Sequence, residues 1–191
     1  MSTYTQILYQ VVFGSKDHIP FMTMENENIL FSYIAGILKK KSCHCYIVGG
    51  AGNHIHIITH LHPSVDLAKC VKDIKLSSHK MFLENKNLFL YFTGWQVGYS
   101  GFTYHISAKG NLIRYVENQR EHHKIYSFKD ELILLLKEHL IDYNEDYLFI
   151  WSYSTTLWLL NFHYLNHGFH PWLLDLNASG ILYFTKWNSL F

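Results

Sequence analysis

Residues 43–61 read CHCYIVGGAGNHIHIITHL. Two apolar, β-branched runs, Cys43 to Val48 and His54 to Leu61, flank the turn Gly49-Gly50-Ala51-Gly52-Asn53. This is the pattern of an antiparallel hairpin. Upstream, TQILYQVVFGS (5–15) holds Val11, Val12 and Phe13 in a row and reads as a buried first strand. After a connection through Pro20, apolar positions Ile29, Leu30, Tyr33, Ile34, Ile37 and Leu38 predict a helix over 24–41, closed by Lys39, Lys40 and Lys41. Downstream, Ser64 is the expected N-cap of a second helix carrying Val65, Leu67, Ala68, Val71, Ile74 and Leu76. Trp95 to Ser107, with Gly98 and Gly101, reads as a bent strand. The order β-α-β-β-α-β is the ferredoxin-like (RRM-like) arrangement, an α+β fold with an antiparallel sheet and helices on one face. Two further helices are expected behind it, one from Asn111 to Ile125 after Lys109-Gly110 and one from Ser127 to His139.

The chain has 191 residues, 49 % apolar and 16 % charged, enough for one domain with a core and an appendage. That balance excludes a disordered chain, and three prolines and eleven glycines exclude collagen-like designs. Cys43, Cys45 and Cys70 cannot all pair, and the opening MSTYTQILYQ lacks the basic start and apolar run of a secretory leader. A reducing, cytoplasmic setting is expected. No run reaches the roughly 18–20 apolar residues of a membrane span. Charge is uneven: residues 1–38 carry net −2, 39–124 net +7 and 125–191 net −4. A basic middle suits a polyanion-binding face, although chance clustering of solvated charge gives the same numbers. From Leu148 on, Asp175 and Lys186 are the charged residues, yet four of the five tryptophans lie there. Residues 1–147 therefore read as one domain and 148–191 as an apolar, Trp-rich appendage to which no role attaches.

Two spacings carry chemistry. His54 and His56 are two apart in a strand, so both imidazoles leave one sheet face, a good arrangement for two metal ligands. With 14 histidines, and a second such pair at His60 and His62, either pair alone reads as ordinary strand histidines. Tyr115 and Gln119 are four apart on an expected helix and share a face. Cys43-His44-Cys45 places only its outer residues on one face, and no second cysteine pair follows at zinc spacing, so a structural strand is the reading.

Taken in order, these pieces resemble a known family. The first strand ends in Val12-Phe13. The histidine strand Asn53-His54-Ile55-His56-Ile57-Ile58 is followed by Pro63. Lys75-Leu76-Ser77-Ser78-His79-Lys80 lies on the second helix. Then come Trp95-Gln96-Val97-Gly98-Tyr99-Ser100-Gly101-Phe102, Tyr115-Val116-Glu117-Asn118-Gln119-Arg120-Glu121-His122-His123 and Phe128-Lys129-Asp130-Glu131. From about residue 5 to about 151 the series resembles the single-tyrosine transposases of the insertion-sequence 200/605 type, within the histidine–hydrophobic–histidine endonucleases. The resemblance implies one divalent ion, Mg²⁺ or Mn²⁺, held by His54, His56 and the amide oxygen of Gln119. It implies Tyr115 as the nucleophile, giving a 5′-phosphotyrosine and a free 3′-hydroxyl on single-stranded DNA marked by hairpins.

It also implies a homodimer in which the tyrosine helix of one subunit completes the metal site of the other, with Gly110 as a permissive hinge. Lys75, Ser77, Ser78 and Lys80 match a family stretch and are candidate DNA contacts. Lys39, Lys40, Lys41 and Lys72 join them on charge. His122 and His123 match the pattern without a chemical role beyond capping or packing. Two alternatives stand beside an active transposase: a domesticated relative that binds or nicks hairpin DNA, and a non-catalytic ferredoxin-like module that binds nucleic acid.

Overall fold

The computed structural model describes residues 3–148 and the segments 174–176 and 182–184. Strand β1 (Leu8–Gly14) lies between β3 (His54–His60) and β4 (Ser100–Tyr104), and β2 (His44–Ala51) borders β3. All neighbours are antiparallel. Helix α1 (Glu27–Lys40) connects β1 to β2, and α2 (Leu67–Glu84) connects β3 to β4. The order β2-β3-β1-β4 is the ferredoxin-like arrangement.

Alternation along β1 and β3 divides the core into two layers. Val11, Phe13, Ile55 and Ile57 pack against Leu30, Ile34 and Leu38 of α1 and Val71, Ile74 and Phe82 of α2. Leu8, Val12, Ile58 and Phe102 leave the other face, where the C-terminal helices cover them. These are α3 (Lys109–Glu117), α4 (Gln119–His122), α5 (Phe128–Glu138) and α6 (Glu145–Leu148). Strand β3 is thus covered on both faces, and all its residues but His60 are buried. Two of those buried positions, on the face of α3 to α5, are His54 and His56.

Several boundaries differ from the sequence reading for physical reasons. Strand β2 continues to Ala51, so the turn is only Gly52-Asn53. Gly52 has φ +61°, at the position where two-residue hairpin turns favour glycine. Gly49 stays in the ladder opposite His56, and a Cβ there would meet Val116 Cγ1 at 2.6 Å. Its missing side chain is what lets α3 lie close over the histidine strand. Helix α2 starts later than expected, because Asp66 rather than Ser64 caps it, accepting from Lys69 N at 2.7 Å. The expected 111–125 helix breaks at Asn118 into α3 and α4. Ser127 caps α5 in a reciprocal box with Asp130.

The chain divides into two compact units, residues 1–151 and 152–191. Within the second, β5 (Leu174–Leu176) and β6 (Leu182–Phe184) pair antiparallel, Asp175 opposite Tyr183. The rest of the appendage expected over 148–191 lies outside the described residues, apart from Leu148 at the end of α6.

Candidate active site

His54, His56, Gln119 and Glu131 are each about 1 % exposed or less, an unusual concentration of buried polar side chains. The sheet supplies the histidines, the start of α4 supplies Gln119, and the first turn of α5 supplies Glu131. Glu131 falls on the buried stripe of α5 with Phe128, Leu132 and Leu135, where an apolar residue would be ordinary.

The Glu131 carboxylate is the hub. Its Oε2 lies 3.3 Å from His54 Nε2, 3.3 Å from His56 Nε2 and 3.1 Å from His123 Nε2. Its Oε1 accepts from Gln119 Nε2 at 2.8 Å and from the Tyr115 hydroxyl. The other end of the Gln119 amide, Oε1, lies 3.2 Å from His54 Nε2 and 3.0 Å from His123 Nε2.

Tautomers sharpen this picture. Asn53 Nδ2 donates to the His18 carbonyl at 2.9 Å, which fixes the Asn53 amide and leaves its Oδ1 3.0 Å from His54 Nδ1. Nδ1 of His54 therefore carries the hydrogen, and Nε2 turns a lone pair toward Gln119 Oε1 and Glu131 Oε2. His56 Nε2 is buried and has no hydrogen-bond partner among the described residues. The His54 lone pair converging on these oxygens calls for a positive charge between them. One ligand atom each from His54, His56 and Glu131 lies within 4.8 Å of the other two. His54, His56 and Glu131 together suit a divalent cation.

Electrostatics follow from this crowding. Burial pushes the His54 imidazole down to about 4, so it is neutral. Burial would raise the Glu131 carboxyl, but the facing imidazoles of His123, His54 and His56 outweigh it and hold the group well below the usual carboxylate range. Burial, then the neighbouring Glu131 charge, pushes the Tyr115 phenol up. For His123, burial lowers the imidazole, yet the Glu131 hydrogen bond and charge win and raise it. His54 also stacks on Phe128, centroids 4.3 Å apart. Beside Tyr115 a cavity of about 380 Å³ is lined by Gln10, Tyr104, Asn111, His122 and Glu131 among others.

Sequence reasoning placed Tyr115, His54, His56 and Gln119 together, and the structure brings them within one cluster. It missed Glu131, whose signal was an acid on the apolar stripe of an amphipathic helix. It also left His123 without a role, although this residue touches both Gln119 and Glu131.

The expected DNA contacts fare unevenly. Lys39, Lys40, Lys72 and Lys80 are exposed on α1 and α2, across the sheet from the histidines. Lys41 pairs with Asp73, and the Ser77 carbonyl accepts from the Tyr33 hydroxyl at 3.3 Å. Two are corrected. Lys75 is turned inward, its ammonium bound to the carbonyls of Gln96 at 2.9 Å and Gly98 at 2.5 Å and seated 4.7 Å from the Phe13 ring centre. Ser78 is fully buried, donates to the Ile74 carbonyl and accepts from Trp95 Nε1 at 3.0 Å. Both are spent on holding α2 to the 95–98 segment.

Comparison with known proteins now decides the family. The family model described as "Transposase IS200 like" matches residues 3–119. The chain belongs to the IS200-like transposases. Among solved structures, this transposase is similar to a candidate transposase from Deinococcus radiodurans R1. Identity is 18 %, coverage is 62 % of this chain and 95 % of that one, and the TM-score is 0.49. It is also similar to a REP-associated tyrosine transposase bound to a REP hairpin. There identity is 15 %, coverage is 64 % and 74 %, and the TM-score is 0.45. No curated protein matches the transposase. Among its described residues no helix is long and apolar enough to cross a membrane.

Proposed function

We propose that this transposase cleaves and rejoins single-stranded DNA at hairpin-marked element ends, with Tyr115 as nucleophile. The observation that carries the reading is that the Tyr115 hydroxyl and the two strand histidines meet on one carboxylate, Glu131. His54, His56 and Glu131, with the Gln119 oxygen beside them, would hold one Mg²⁺ or Mn²⁺; the oxygens suit either ion and the imidazoles favour the second. When bound, such a cation offsets the Glu131 charge and polarises a phosphate oxygen.

The chain's own groups do the rest. Glu131 Oε1 already accepts the hydrogen bond of Tyr115, so it is placed to take the phenolic proton as the tyrosine oxygen attacks phosphorus. The new bond joins Tyr115 to the 5′-phosphate, the bond from phosphorus to the 3′-oxygen breaks, and that oxygen takes a proton and leaves as a hydroxyl. The link conserves the phosphodiester, so another 3′-hydroxyl reverses the step and rejoins a strand without ATP. Lys39, Lys40, Lys72 and Lys80 are the phosphate contacts of this reading, remote from the chemistry. A homodimer completes the reading, with two copies presenting two element ends.

The test is incubation of the full chain with Mn²⁺ and labelled single-stranded hairpin oligonucleotides from the flanks of its own gene. A denaturation-resistant adduct is expected, lost in Tyr115→Phe and on chelation. Binding with no adduct would favour the non-catalytic module, and cutting with no retained DNA would favour a hydrolytic nuclease.

A further inference from the structure

Gln10 is fully buried in the middle of β1, where an apolar residue would pack without needing partners. Its two partners explain its presence. Gln10 Nε2 lies 3.0 Å from His56 Nδ1, and the Tyr104 hydroxyl donates to Gln10 Oε1 at 2.8 Å. The three side chains form a chain that ends on the imidazole whose Nε2 faces Glu131.

We infer that Gln10, backed by Tyr104, is a positioning residue that sets which nitrogen of His56 is offered to the cation site. In the arrangement seen, the amide donates to Nδ1, so His56 carries its hydrogen on Nε2, facing Glu131 Oε2 at 3.3 Å. Ligation needs the other tautomer, with the hydrogen on Nδ1 and a lone pair on Nε2. Turning the Gln10 carboxamide over achieves it: Oε1 then accepts from Nδ1, and Nε2 donates to the Tyr104 oxygen. A hydroxyl both donates and accepts, so Tyr104 satisfies either orientation. His54 has no such freedom, because the His18 carbonyl fixes Asn53. One histidine is set for ligation, and the other is switched by an amide whose oxygen and nitrogen are both paired in either orientation, while the freed Tyr104 hydrogen turns to the cavity that this residue lines. The inference rests on the reading that His54, His56 and Glu131 hold a divalent cation.

The experiment is Mn²⁺ titration of the full chain by electron paramagnetic resonance, with imidazole ¹⁵N shifts recorded metal-free. Wild type is compared with Gln10→Leu, Gln10→Glu and Tyr104→Phe. Gln10→Leu is expected to weaken Mn²⁺ binding about 10–100-fold, the range for loss of a partner that orients a ligand. Gln10→Glu is expected to keep wild-type affinity and to show His56 protonated on Nδ1, because a carboxylate only accepts. Tyr104→Phe is expected to fall between them. A folded Gln10→Leu that binds Mn²⁺ like wild type overturns the inference, as does a Gln10→Glu that loses as much affinity as the leucine variant. Failure of the cation reading looks different: wild type binds no Mn²⁺, while Gln10→Glu still moves the His56 hydrogen between nitrogens.

Discussion

Glu131 keeps its charge in a place where burial alone would neutralise it, because three imidazoles face its Oε2. Replacing it by glutamine leaves the shape and removes the acceptor of the Tyr115 proton. The Glu131→Gln protein is therefore expected to fold, to bind Mn²⁺ much more weakly than wild type, and to lose the covalent DNA adduct. Calorimetry and denaturing gels check the two parts separately. The histidines predict the pH dependence of the metal-free protein. His54 titrates near 4 in the folded chain against about 6.5 unfolded, so as pH falls the unfolded state takes the proton first. Stability is expected to drop from about pH 6.5 and to finish dropping near pH 4, by about 3 kcal/mol. Glu131 extends the loss below its unfolded value, because its folded carboxyl lies lower still. His123 acts oppositely: its folded imidazole is raised, so its contribution is present at low pH and lost as pH rises through that value. Urea midpoints measured against pH test this, and His54→Gln is expected to flatten the limb between pH 6.5 and 4.

At the scale of elements, the contact of α3 with β2 is what delivers Tyr115. Gly49 makes room for Val116, one residue along from the tyrosine. Gly49→Ala is expected to cost about 1–3 kcal/mol and to slow adduct formation, because a Cβ at 2.6 Å from Val116 pushes the helix away. Val116→Ala in the same chain is expected to restore part of both; an unaffected single variant would mean that α3 is not held this way. The same junction shows what was legible in the sequence. The hairpin, the two histidines and the Tyr115–Gln119 spacing follow from periods of two and 3.6, which survive any tertiary packing. Gly49 read as part of a turn, because nothing local says that a helix from 67 residues later will lie on it. Lys75 and Ser78 read as surface groups for the same reason: their partners at 95–98 are close only after folding. Glu131 was visible as an acid of the first helical turn, but its role needed the sheet histidines brought beside it.

Across the whole first unit, one chain assembles a full set of histidines, amide, carboxylate and tyrosine. An exchange of the tyrosine helix between two copies would assemble the same set from two chains, and mixing variants distinguishes the two arrangements. A mixture of Tyr115→Phe and His56→Ala proteins is expected to form no adduct, since neither copy holds a full set. Recovery of activity in the mixture would show that copies share their helices. The layering has a further consequence. Because β3 is covered on both faces, the cluster opens toward the cavity beside Tyr115, lined by Tyr104, Asn111 and His122. Ion and DNA would use one doorway. In the proposed reaction a strand joined to Tyr115 would stand in that doorway as a stopper, and the adduct is expected to release its ion far more slowly than the free protein does. Order of addition becomes informative: chelator added before DNA is expected to prevent the reaction, whereas chelator added after the adduct has formed is expected to meet a sealed vessel.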